Sequence, residues 1–382
     1  DDKKIFVHEF PFAMMSFTGE NALWHTKTSE MASVGQKIID WYKTGNNKVK
    51  YEKDVLKVTR DLEDVIAKIK KTNLAKLNKK NLNELYQQLY QTDLSWWAVL
   101  WTTELVSVRC EEILKEKLKD IQSSDISKLT ALSQKSFSQE IEDEMNILVA
   151  LAKKKKNNFD DKILRASIKK FQENYFWIHN NYFETKVLQE EEIIMDIKKK
   201  IDKKIFEPTM DIAIEKEKLI KKFKLDKEVL EIINISEEFT YTQDLRKKWT
   251  MIFGYYLEQL LNEIGKRANL SLHDMRYSLP EEVEGILNGK KPAIKERQTR
   301  CLVVFESGNS ESKIYLGEKA KAQEQKILGI TNITQQESIL RGSVACNGKA
   351  IGPVKVLMNP NEIYKVNHGD ILVTSMTSPD FM

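Results

Sequence analysis

From about Asn21 to Leu287 the sequence carries few prolines and glycines, and apolar residues recur there in steps of three and four. A chain written this way folds as helix over most of its length. The clearest stretch is Leu164, Ile168, Phe171, Tyr175, Ile178 and Tyr182, which lays one apolar stripe along a helix. Thr185 breaks the row, and Ile193, Ile197 and Ile201 resume it. A helix of that length is expected to pack against others as a bundle or hairpin. A second stretch runs through Leu82, Leu85, Leu89, Trp96, Trp97, Leu100, Trp101 and Leu105. Three tryptophans so close together raise the question of a stacked ligand, but aromatics at helical spacing fill cores, and that is the expectation here. A third helix, Lys247 to Leu270, buries Trp249, Ile252, Phe253, Leu257, Leu260, Leu261 and Ile264. Leu279-Pro280-Glu281-Glu282 reads as a helix start: proline loses nothing in the first turn, and the acids suit the positive end of the dipole.

At about Thr299 the texture changes. Cys301-Leu302-Val303-Val304-Phe305 is a β-run, and Gly308-Asn309-Ser310 is a turn able to fold it onto Lys313-Ile314-Tyr315-Leu316. A polar link from Glu318 to Ser338 follows, and the domain boundary is placed in it. Beyond it glycine becomes frequent. Asn347-Gly348 is a turn, because both residues accept positive φ. Gly352-Pro353 leads into an alternating strand with Val354, Val356 and Met358 on one face. After the Asn359-Pro360-Asn361 turn and a polar helix or loop through Val366, Gly369-Asp370 turns the chain into a buried strand, Ile371 to Thr374. The reading divides the chain into a helical domain (1–298), a β-hairpin with polar linker (299–338) and a glycine-rich β/α tail (339–382). The fold class is mainly α.

Charge and cysteine content narrow the function. Sixty-one basic against 57 acidic residues leave a net charge of +4, unlike a nucleic-acid binder with its basic excess on one face. The run Lys153 to Lys156 is read as a solvated helix end or loop. Cys110, Cys301 and Cys346 are far apart and form no C-x-x-C pair, so no zinc site is expected and a reducing cytoplasm fits best. No apolar run is long enough for a membrane span. Asp1-Asp2-Lys3-Lys4 is not a signal peptide, and residue 1 is read as a cut or processed end. Glu190-Glu191-Glu192 point in different directions around a helix and are not expected to share a magnesium ion. Arg297 and Arg300 are candidates for phosphate contact, with helix-end solvation as the default.

The tail also resembles a known family. The ordered set Gly342, Gly348, Gly352, Gly369, Asp370, Ile371, Leu372, Val373, Thr377, Pro379 and Asp380, with hydrophobic strands between its members, is similar to the front half of the swivelling phosphohistidine domain of the phosphoenolpyruvate-utilising enzymes. Ser378 stands where the family often has threonine, and the hydroxyl is kept. A looser resemblance reaches back through Leu279-Pro280-Glu281-Glu282 to an arginine-bearing helix beginning near Asp244.

The resemblance implies a relay: an ATP-grasp domain phosphorylates a histidine, and the swivelling domain carries the group to a second site. It implies ATP and magnesium for a full-length parent, and as partners that parent's ATP-grasp nucleotide domain and acceptor-binding site, with neither nucleic acid nor membrane. The family's carrier histidine lies downstream of the Thr377–Asp380 turn, so none is assigned here. His8, His25, His179 and His273 lie in helical or leading segments, and His368 reads as a surface turn residue. No nucleotide loop of the G-x-G-x-x-G or P-loop kind is present. The favoured expectation is a piece of a phosphotransferase that is inactive alone. The alternatives are a helical scaffold or interaction module with an incomplete carrier-like tail, and a helical domain binding a small molecule at Trp96 to Trp101.

Overall fold

A computed structural model of the chain describes residues 12–19, 21–133, 136–182, 184–203, 212–306, 312–329, 348–357 and 360–374. It is mainly α. The helices are α1 (Thr28–Tyr42), α2 (Asn47–Lys71), α3 (Lys79–Leu100), α4 (Thr102–Lys117), α5 (Ser123–Thr130), α6 (Phe137–Lys154) and α7 (Lys162–Tyr175), then α8 (Glu190–Lys203), α9 (Ile212–Phe223), α10 (Lys227–Ala268), α11 (Leu272–Met275), α12 (Val283–Leu287), α13 (Ile294–Thr299) and α14 (Gly317–Leu328). The strands are β1 (Ala13–Thr18), β2 (Asn21–Thr26), β3 (Cys301–Phe305), β4 (Lys313–Leu316), β5 (Val354–Val356) and β6 (Ile371–Val373). The chain divides into two compact units, Asp1–Glu324 and Gln325–Met382.

The spine of the first unit is α10, 42 residues long. Asp226 caps its start, the side chain accepting the Val229 N–H at 2.8 Å, and Asn269 ends it in the left-handed conformation. α10 packs along α3 and α4, while α2 and α3 form a hairpin and α1 lies on α4. Each helix buries the stripe its spacing dictates: Leu82, Leu85, Tyr86, Leu89 and Trp96 on α3, Phe239, Leu260 and Ile264 on α10. α6, α7 and α8 make a satellite cluster.

Four antiparallel strands in the order β2-β1-β3-β4 complete this unit. Phe17 pairs with Cys301 and Ala13 with Phe305, so the first strand joins one that lies beyond the entire helical body. The β3–β4 pairing runs from Cys301↔Leu316 to Val304↔Lys313, as the sequence reading has it, while its Gly308–Ser310 turn lies outside the described residues.

Three local readings need correction. The stripe through Leu164 and Phe171 does not continue as helix to Tyr182: α7 stops at Tyr175, and Tyr182 is exposed. Asn180 ends the row, its amide donating to the Met251 carbonyl of α10 and its carbonyl accepting the Lys186 N–H. The Leu188 N–H closes the turn onto the Phe176 carbonyl, and α8 follows. Second, Asn21 to Thr26 is strand, so His25 stands on β2; pairing with β1 overrides the local pattern. Third, the start of the polar link is helical as α14. Its Glu, Lys, Ala and Gln residues are strong helix formers.

Candidate functional site

In the second unit the described residues centre on β5 and β6, which pair in parallel from Val354↔Ile371 to Val356↔Val373. The Ile371 N–H donates to the Pro353 carbonyl at 2.8 Å and the Leu357 N–H to the Val373 carbonyl at 2.9 Å, extending the ladder at both ends. A 3₁₀ segment, Pro360–Lys365, forms part of the crossover. Just ahead of the two strands the backbone approaches closely: a Cβ at Gly352 would lie well under 3.0 Å from the Gly369 carbonyl oxygen. Gly369 has φ +96°, open to glycine and costly for any other residue. Asp370 locks the turn, its carboxylate accepting the Asn367 N–H at 2.9 Å while its own N–H donates to the Asn367 carbonyl at 3.0 Å.

The structure thus brings Gly352, Gly369 and Asp370 together at one tight backbone approach. Gly348 stands apart and exposed, and a side chain there would meet open space. His368 is an exposed turn residue. Gly342, Thr377 and Pro379 lie outside the described residues, as do Ser378, Asp380, Cys346, Met358 and His8. The strand at Ile371 is less buried than its composition implies: Val373 is exposed, as are Ile351, Val354 and Val356.

The helical unit has a second concentration of chemistry around the tryptophans. Trp96 is fully buried, as its helical spacing predicts. Trp97 and Trp101 are half-buried and lie beneath the Arg246 guanidinium, 5.2 and 6.0 Å from their ring centroids. Arg246 is ion-paired with Glu104, which also accepts from Gln243 at 2.9 Å. Trp24 of β2 leans on Trp101 with centroids 5.0 Å apart. A polar cleft of about 430 Å³ opens between α2 and α3, lined by Asp61, Gln88, Gln91 and Ser95, and none of the tryptophans lines it.

Asp93 escaped the sequence reading. It occupies the apolar register between Leu89 and Trp96, and that misplaced acid is the signal that could have found it. Burial pushes its carboxyl up to about 7, against a weaker lowering by a hydrogen bond from Trp97, and Oδ1 has no partner. The Cys110 thiol is likewise pushed up by burial, to about 12, which leaves it protonated and inert at neutral pH.

Arg297 and Arg300 are engaged with carboxylates inside the unit. Arg297 is buried and forks onto Glu282, with its Nη1 also donating to the Tyr277 carbonyl at 2.7 Å. Burial alone would raise Glu282; the hydrogen bonds from Arg297 and the Leu279 N–H outweigh it and hold the carboxyl below its ordinary range. Arg300 pairs with Glu324 at 2.5 Å. Glu190, Glu191 and Glu192 occupy the first turn of α8, where Glu192 accepts the Gln189 N–H at 2.9 Å. Among the described residues no group of three His, Cys, Asp or Glu is placed to hold a metal ion. No helix among them is long and apolar enough to cross a membrane.

No family model and no solved structure matches the chain. Curated proteins do. A probable phosphoenolpyruvate synthase of Archaeoglobus fulgidus is 36% identical over 121 residues, 31% of this chain and 14% of the relative. The phosphoenolpyruvate synthase of Pyrococcus furiosus is 42% identical over 67 residues, 18% of this chain and 8% of the relative. An uncharacterized phosphotransferase of Bacillus subtilis, YvkC, is 29% identical over 133 residues, 34% of this chain and 16% of the relative. The chain thus spans less than a fifth of the length of these relatives. Over up to about a third of its own length, the chain is similar to phosphoenolpyruvate synthases and to a phosphotransferase.

Proposed function

We propose that this chain is part of a phosphotransferase of the phosphoenolpyruvate synthase kind, in which a histidine on a swivelling domain carries a phosphoryl group between two sites. The partial similarity to phosphoenolpyruvate synthases and to a phosphotransferase carries this reading. The close approach of Gly352 to Gly369 supports it by giving two of the tail glycines a physical purpose. Imidazole suits the relay, being a nitrogen nucleophile near neutral pH. Donor and acceptor steps then depend on positioning and charge neutralisation, the work of an ATP-grasp domain, magnesium and basic side chains elsewhere in the parent. The residues of this chain would supply the framework: a helical body, and the first strands of the carrier.

A second reading is a helical scaffold or interaction module with an inactive carrier-like tail. One observation favours it: Arg246, Arg276, Arg297 and Arg300 are each turned onto an internal carboxylate. One experiment separates the two. The complete reading frame containing this chain is incubated with γ-labelled ATP and, separately, with labelled phosphoenolpyruvate. Acid-labile, base-stable label on a histidine is the expected result. Protein that takes no label from either donor would leave the scaffold.

A further inference from the structure

The helix in which the first unit ends has little to hold it. α14 is 12 residues long, and Ala320 and Glu324 are its buried residues. A helix this short is marginal alone and depends on what it packs against. Its apolar footprint is small, so its docking turns on the buried acid. Glu324 is 8% exposed, and Arg300, just ahead of β3, donates to it at 2.5 Å. Ser16 of β1 hydrogen-bonds the same carboxyl, and the charge of His25 on β2 acts on it. Burial works against the Glu324 charge; the Arg300 and Ser16 hydrogen bonds outweigh it and keep the group ionised. Two more buried nitrogens near this pair, Arg300 Nε and His25 Nε2, have no hydrogen-bond partner. The boundary between the two compact units falls directly after Glu324.

We infer that Arg300, Glu324 and Ser16 form a latch that pins α14 to the sheet and so fixes the point at which the chain leaves the first unit. Removing Arg300 would strand the buried Glu324 carboxylate, which makes such a latch abrupt. Closed, the 12 residues of α14 rise about 18 Å as helix. Open and extended, the same residues reach about 40 Å. The latch thereby sets which of these two lengths the 12 residues of α14 span. Only the use of that length, to move a carrier, rests on the proposed function.

Hydrogen exchange by mass spectrometry on the full chain tests it. Glu324→Gln is expected to speed exchange of the α14 amides at least tenfold and leave those of α10 unchanged. The double change Arg300→Glu with Glu324→Arg is expected to recover most of the protection. Exchange of α14 within twofold of the parent chain would overturn the latch, and so would equal acceleration in α10. If Glu324→Gln fails to fold, Ser16→Ala replaces it, with about a threefold acceleration expected in α14 alone and the same overturning results. The histidine-labelling experiment reads separately: unlabelled protein with a responsive α14 removes the carrier and keeps the latch.

Discussion

The helical body and the described tail dispose of their apolar residues in opposite ways. In the body, Leu62, Leu82, Leu89, Trp96, Leu100 and Ile264 are completely buried. In the tail, Ile351, Val354 and Val356 are 87%, 59% and 64% exposed, and Leu357 is the buried exception. Helices close their own backbone hydrogen bonds and need only an apolar partner. Parallel strands are normally covered on both faces, which is why their sequences read as continuous hydrophobic runs. The valines of β5 are left exposed, whereas the body carries a core of its own.

That contrast can be broken first by truncation. Trp96→Ala is expected to cost about 3–5 kcal/mol in chemical denaturation of the body. The equivalent change in the tail, Val356→Ala, should stay within about 0.5 kcal/mol. Comparable losses at the two positions would mean that β5 is covered after all.

The body's own weak point sharpens the comparison. The Asp93 carboxyl is raised from its ordinary value to about 7, so between about pH 4 and 7 the folded state holds a proton that the unfolded state has released. Stability therefore falls as pH rises through that window and levels off above it, by up to about 1.4 kcal/mol per pH unit. Asp93→Asn is expected to flatten this slope in denaturation curves measured from pH 4 to 8. An unchanged slope would place the titrating group elsewhere.

The last test concerns the close approach of Gly352 to Gly369. Gly352→Ala sets a methyl group against the Gly369 carbonyl and is expected to cost about 1–3 kcal/mol, confined to the tail. Exchange of the Ile371 and Leu357 amides should accelerate while the α10 amides hold, and protection kept at both tail positions would contradict the close approach.

Much of the body was legible in the sequence, because helix start signals and apolar stripes are local. Pro280 and Glu282 open a 3₁₀ turn that runs into α12, and the α3 stripe is buried where its spacing puts it. What the sequence hid was non-local. Nothing near Tyr175 announces that Asn180 will bond to Met251 and turn the chain. Nothing near Ala13 announces a partner at Phe305. At the candidate site, glycine frequency marked the region, but the approach of Gly352 to Gly369 follows only from the crossover. Arginine was the least legible residue of all. Arg297 and Arg300 suit phosphate in a linear reading, and only the fold supplies Glu282 and Glu324 to claim them.

The place of β1 in the middle of its sheet has a consequence for biosynthesis. The β1–β2 hairpin leaves the ribosome well before its central partner β3, which emerges only after α1 to α13 have been made. A two-stranded hairpin is marginal in water, so the nascent chain carries an open β1 edge until Cys301–Phe305 has been made. Folding of the helical body brings these two distant strands side by side, and the sheet closes on that approach. The sheet is therefore the seal on a finished body, and a chain halted before Cys301 would be left with a sticky, unsealed end.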